Sequence, residues 1–432
     1  MKKVIIFSAF FFALNISAQT PVLIDTLNEA QKKILQDEYT KKKENLLSNL
    51  PLQTSSKETK RVKTIFGDAY DDLIKSIDKN ELFDNSPLNQ YLNSILADIK
   101  EKNPAIPEIN ILVSREFEAN AYNVGGGTII FNQYLLSDLD NEDELTYIIC
   151  HEIAHQYRNH VLNSILNFVK KDNSDELKSK VRELKHQRYN NRTEAENLLK
   201  DIAYKNSKEN RKKEIEADSL GYIFYSQLGR NKQQPVQTLI KLKNSNYEDD
   251  SLTLKDYKKL FSASELHFNA KWFSMDDYGA YHYKESTKFN TDSLRTHPNM
   301  DERIEHLKKA FPQFLDKPKP NEAVTVSQEF NKWHNNALYQ NVYNEYTAKH
   351  YGNSLYEALK LYNRKPTPFL KKMIGQNFEK LYDAQKKYRL NRYVSQVNVH
   401  RYTDSFNLFC TFINNLRLDD FKAFADYFSK ED

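Results

Sequence analysis

Glycine is scarce in this chain: nine in 432 residues, about 2 % against the ~7 % usual for globular proteins. The hydrophobic fraction, 39 %, falls below the usual ~45–50 %, a tally that includes glycine, and much of the deficit is glycine itself. Two cysteines, Cys150 and Cys410, exclude a disulfide scaffold and any four-cysteine zinc site. Charge of one sign is also lacking. Sixty-three Lys and Arg against 59 Asp and Glu leave a formal +4, so no strong nucleic-acid footprint follows. Past the N-terminus no apolar run is long enough to cross a membrane. What is plentiful is Lys, Glu, Leu, Asn and Tyr. That composition favours a mostly helical, water-soluble protein, long enough for two or three domains; with the two strands read below, the expected class is mainly α with a small β-sheet (α+β).

The first residues read as an address. Met1-Lys2-Lys3 is a basic start, Val4 to Ile16 an apolar run, and Ser17-Ala18-Gln19 supplies small residues for cleavage, the layout of a secretory signal peptide over 1–18. The run is shorter than the roughly 20 residues a bilayer core demands. No cysteine follows it, so a lipid anchor is not supported. The expected mature protein is soluble, secreted across the inner membrane, and periplasmic or in the cell envelope, with no integral membrane span. Next, 19–85 reads as an N-terminal helical segment. From Ser86-Pro87 the spacing of Leu88, Tyr91, Leu92, Ile95, Leu96 and Ile99 predicts a helix capped by Ser86 with Pro87 at N1. Strands are expected at 109–113 and 127–131, and a helix from about Asp143. Residues 170–213 carry charges of mixed sign and read as a solvated helical hairpin rather than a binding arm. From 320 to 432 aromatic and apolar residues recur at helical spacing. They hint at helix pairs of the tetratricopeptide kind without a clean period.

The chemistry sits in two short stretches. His151-Glu152-Ile153-Ala154-His155 is an H-E-x-x-H pattern inside an apolar helical run. Residues i and i+4 share a helix face, so both imidazoles can meet one metal, with Glu152 beside them to hold a water. Catalytic zinc takes three protein ligands and keeps an open position. The third is sought at Glu214-Ile215-Glu216-Ala217-Asp218, where Glu214 and Asp218 share a face and Glu216 points away. Glu214 is thus the expected ligand and Asp218 its outer partner, fixing an imidazole tautomer. Glu216 is expected to face solvent. His160, about 180° round a continuous helix from His151, is a poor ligand candidate, and Cys150 is read as a buried inert thiol.

HEIAH followed by EIEADSLGY resembles the HtpX/BepA-like gluzincin metallopeptidase family, which also holds the CAAX prenyl protease. Its second motif, E-x-x-x-D-x-x-G, is matched by Glu214, Asp218 and Gly221. Asn120-Ala121-Tyr122 with the glycines after it, and His297-Pro298 with Arg303-Ile304, resemble two further motifs. The resemblance covers about 86–310 and implies a zincin-like core holding one Zn2+ per chain. It also implies a polypeptide substrate laid along a cleft-lining strand, and a secreted branch acting on misassembled envelope proteins. Gly125-Gly126-Gly127 concentrates backbone freedom as a turn into an exposed strand requires, which marks Gly126, Gly127, Thr128 and Ile129 as candidate substrate contacts; an ordinary hairpin turn is the other reading. No Gly-Lys-Ser/Thr follows, so a phosphate cradle is excluded. His297 and Arg303, with Asn120, are the candidate donors to the oxyanion of a tetrahedral intermediate. By resemblance His297 is alternatively a latch on the zinc. The expectation is a zinc endopeptidase with Glu152 as general base. The competing one is a zinc-stabilised chaperone or binding module of the envelope, whose C-terminal helices meet a protein partner.

Overall fold

The structure is a computed structural model describing residues 28–51, 54–84, 86–171, 207–244, 252–263, 265–274, 300–312, 327–399 and 401–430, with positions 21, 23 and 324. The proposed signal peptide 1–18, most of the charged 170–213 stretch and His297 lie outside the described residues.

Helices α1 (Glu29–Asn49) and α2 (Ser56–Asp78) open the fold as a hairpin, each started by a reciprocal cap: Asn28 with Gln31, Ser55 with Glu58. Strand β1 (Leu82–Phe83) precedes α3 (Pro87–Lys102), which begins as the sequence suggests, with Ser86 at the cap and Pro87 in the first turn. Three strands follow: β2 (Asn110–Ser114), β3 (Ala121–Gly125) and β4 (Thr128–Asn132). They form one sheet in the order β1-β2-β4-β3, with β2 and β4 parallel and both outer pairs antiparallel. The expected strands match β2 and β4. Short, partly polar β3 gave no comparable signal, yet it forms one edge of the sheet.

Alternation along the strands explains why both faces are covered. Ile111, Val113, Ala121, Ile129 and Phe131 face the main core with α3 and α5 (Glu142–Tyr157). Leu82, Leu112, Tyr122 and Ile130 face the other way, onto Leu35, Tyr39, Tyr70, Leu73 and Ile77 of the α1–α2 hairpin. The N-terminal segment is therefore the second layer of the same sheet rather than an appendage.

A short α4 (Leu135–Asp138) leads into α5, in which every residue from Glu142 to His155 is buried. Its acidic first turn complements the helix dipole, and Arg230 joins it by bonds of 2.8 Å to Glu142 and 2.9 Å to Asp143. Next come α6 (His160–Lys171), α7 (Ser207–Ser226), α8 (Gln234–Asn244), α9 (Leu254–Leu260) and α10 (Met300–Ala310). Five C-terminal helices close the chain: α11 (Gln328–Thr347), α12 (Tyr351–Arg364), α13 (Pro368–Lys386), α14 (Asp404–Asn415) and α15 (Leu418–Phe428).

Packing divides the chain differently from the expected 86–310 and 320–432. Leu252, Tyr257, Phe261 and Trp272 belong to the aromatic core of the C-terminal helices, with Phe378, Phe412, Phe424 and Phe428. Conversely Phe330, Trp333 and Ala337, at the start of α11, belong to the core shared by the sheet, α3 and α5. Helix α11 thus threads from one core into the other.

Candidate metal centre

Two helices build the site, and a glycine sets how closely they approach. A Cβ on Gly221 of α7 would stand 3.0 Å from both the Cα and N of His151, so only a bare backbone fits where α7 crosses α5. One and two turns before Gly221, Asp218 and Glu214 point into the contact, each 1 % exposed.

There the Nε2 atoms of His151 and His155 lie 3.1 Å apart. Glu214 approaches them with one oxygen 3.6 Å from His151 and the other 3.4 Å from His155. Tetrahedral ligands at the usual ~2.0–2.2 Å from a zinc ion stand about 3.4 Å from one another, so this triangle has the dimensions of a three-ligand site. Among the described residues, these three form the one group able to hold a metal ion. Glu152, 1 % exposed, reaches to within 4.0 Å of His151 Nε2, beside the triangle rather than in it.

Outer contacts hold each imidazole. Nδ1 of His151 lies 3.0 Å from Asp218 Oδ1. Arg303 of α10 grips Asp218 with two bonds of 2.6 Å, and a third nitrogen lies 3.2 Å from Glu214. The Tyr147 hydroxyl, one turn before His151, donates to Asp218 at 3.3 Å. Burial disfavours a charged His151, yet Asp218 and Glu214 outweigh it and raise the imidazole to about 10. Burial opposes charge on Asp218 as well, and Arg303 with His151 holds its carboxyl well below the usual carboxylate range. The carboxylates thus call for positive charge where a divalent ion would sit.

His155 is held by residues the sequence reading had set aside. Its Nδ1 lies 3.0 Å from Nδ1 of His160, whose Nε2 is 3.2 Å from Glu216. Arg158 pairs with the same carboxylate at 2.8 Å. With Nε2 of His155 turned to a metal, its Nδ1–H donates to His160, and His160 donates onward from Nε2 to Glu216. The helical-wheel argument missed this because the helix is not continuous. Backbone at Asn159 turns left-handed, φ +51°, and swings His160 back beneath His155. Glu216 is 45 % exposed, so it faces solvent as expected and is also a partner of His160 and Arg158.

Other expected site residues are placed differently. Arg303 is 3 % exposed and occupied by Asp218 and Glu214, so it braces the ligands instead of facing an oxyanion. Thr128 and Ile129 lie on β4, which is paired on both sides and has no free edge for a substrate strand. Gly126 and Gly127 form a tight left-handed turn with φ of +61° and +73°, enclosed by the α1–α2 hairpin. The Gly127 carbonyl accepts from Lys42 Nζ at 3.1 Å and from the Asn110 amide at 2.9 Å, and a Cβ on Gly126 would stand 2.3 Å from the Tyr70 hydroxyl. The three glycines thus lie at the β3–β4 hairpin turn. Asn120, 4 % exposed, sits just before edge strand β3, and its Nδ2 is buried with no partner among the described residues. Cys150 is fully buried, and burial pushes its thiol up.

No curated protein matches the chain. The sequence model of peptidase family M48 does, over residues 85–311, a span that takes in α5, α7 and α10 with all three donors and their braces. A match over more than half of the chain settles its kinship: it belongs to peptidase family M48, a family of metallopeptidases.

Proposed function

We propose that the protein is a zinc-dependent endopeptidase. The observation that carries this reading is the triangle of His151, His155 and Glu214 with Glu152 alongside. Zinc held by those three residues would polarise the scissile carbonyl and lower the pKa of a water toward ~7. Glu152 takes the water's proton and returns it to the leaving amine nitrogen. Asp218 with Arg303, and His160 with Glu216, keep both imidazoles in the tautomer that turns Nε2 inward. An extended substrate pairs with β3, the strand at one edge of the sheet. Asn120 Nδ2 and His297 supply donors to the oxyanion.

The substrates we propose are misfolded or misassembled envelope proteins. The signal-like N-terminus and the resemblance support this, and no helix among the described residues is long and apolar enough to cross a membrane.

Metal analysis of the purified chain, with casein cleavage measured before and after chelation, tests the reading. Glu152→Gln should retain one zinc per chain and lose about 10²–10⁴ in turnover, the usual worth of a general base. Unchanged turnover would remove Glu152 from the mechanism. Rescue of a deletion strain by the same variant would assign the biological role to binding or chaperone activity. His297→Ala should lower kcat; a rise in basal cleavage would make His297 a latch instead.

A further inference from the structure

The family match begins at residue 85, yet a cavity beside the metal centre is walled in part by residues that precede it. This cavity, about 360 Å³, is lined by His155 and Gln156 of α5, by Asn123 and Gly125 of β3, and by the C-terminal end of α1. Leu46, Leu50, Pro51, Phe66, Val161 and Leu162 make its lining mostly apolar. Its volume falls in the range of small-ligand sites, roughly 300–1,000 Å³. His155 belongs to both the cavity and the metal triangle, so whatever fills the cavity lies against the reacting bond.

We propose that this cavity receives a bulky apolar side chain of the substrate, from a residue flanking the scissile bond, and that α1 thereby sets the cleavage preference. The inference rests on the peptidase reading above. Its charged lining residues are already engaged: Lys42 donates to Asn110 Oδ1 at 2.9 Å and to the Gly127 carbonyl, and Glu108 pairs with Lys100 at 2.7 Å. Lys42 is therefore not free to select an acidic side chain, and the Glu108 side chain, 92 % exposed, leaves its carboxylate in solvent. Two polar groups remain for the substrate backbone. Strand alternation puts Asn123 on the α5-facing side with Ala121; its Oδ1 accepts from the Gly125 amide at 2.7 Å. Nδ2 of Asn123 is buried with no partner among the described residues, and so is Gln156 Oε1. A buried donor and a buried acceptor left open are costly unless a ligand completes them. A peptide backbone offers both complements, a carbonyl for Asn123 and an N–H for Gln156.

A degenerate peptide library presented to the zinc-loaded full chain tests this. Cleaved peptides should share Leu, Phe or Met at one fixed position beside the cut. Asn45→Trp, at an exposed rim position, and Leu50→Trp both fill the cavity. Each should cut the kcat/KM preference for Leu over Ala at that position at least tenfold, with zinc content and Tm unchanged. A second readout avoids turnover. In the Glu152→Gln chain, Asn45→Trp should weaken binding of a Leu-bearing peptide about tenfold by fluorescence anisotropy and leave its Ala counterpart unaffected. Unchanged Leu/Ala preference in two variants that still cleave would overturn the cavity's role and leave the peptidase reading standing. A zinc-loaded wild-type chain that cleaves nothing would overturn the peptidase reading, and the anisotropy series would still decide the cavity.

Discussion

His160 shows how much a single residue outside the ligand set can matter. As acceptor for the His155 Nδ1–H it holds that ring in place, and Glu216 in turn fixes its tautomer. His160→Ala should therefore weaken metal binding by about 10–100-fold, the usual effect of losing an outer-sphere partner, with the circular dichroism spectrum unchanged. Glu216→Gln, one bond further out and half-exposed, should weaken it less. Competition against a chelating dye measures both, and equal affinity in His160→Ala would show that His155 is held by packing alone. Asp218 does the same for His151, but its buried bond to Arg303 makes it structural as well. Removing either partner strands a buried charge.

At the scale of elements, the sheet explains why two helices precede it. Strands apolar on both faces need cover on both, and α1 and α2 supply the outer layer. Element junctions carry their own cost. At the end of α4, burial raises the Asp138 carboxyl to about 6, with Lys241 opposing the rise. A folded-state pKa above the unfolded value of 3.8 means the native chain holds this proton more tightly. The resulting stability is greatest below pH 3.8 and is lost as pH rises through 6. At neutral pH the ionised carboxylate is thus a burden, and Asp138→Asn should stabilise the protein by up to about 2 kcal/mol at pH 7 and about half that at pH 5. Urea unfolding at the two pH values checks it; a gain independent of pH would point to a cause other than ionisation.

Over the whole molecule, the two cores are interleaved along the chain. Residues 252–274 leave the peptidase region to pack among the C-terminal helices, and the first turns of α11 return Phe330 and Trp333 to the peptidase core. A chain ending at residue 311 would uncover Phe261 and Trp272 and also remove Trp333, itself 1 % exposed. Such a chain should aggregate or bind the dye ANS strongly, although it contains the entire family-matched region. A monodisperse, cooperatively unfolding product on size-exclusion chromatography would show that the C-terminal helices are dispensable for folding.

What the linear sequence determined is the part governed by local rules. A helix repeats its faces every 3.6 residues, so His151 with His155, and Glu214 with Asp218, could be placed on shared faces before any coordinates, and Ser86-Pro87 could be read as a helix start. Tertiary structure alone decided what depends on a break in that periodicity or on contacts distant in sequence. A left-handed turn at Asn159 brings His160 under His155; Arg303 crosses from α10 to two carboxylates on α7; strand order leaves β3 rather than β4 at the edge. Spacing predicts which residues share a face, but which faces meet is settled by burying all of the apolar surfaces at once.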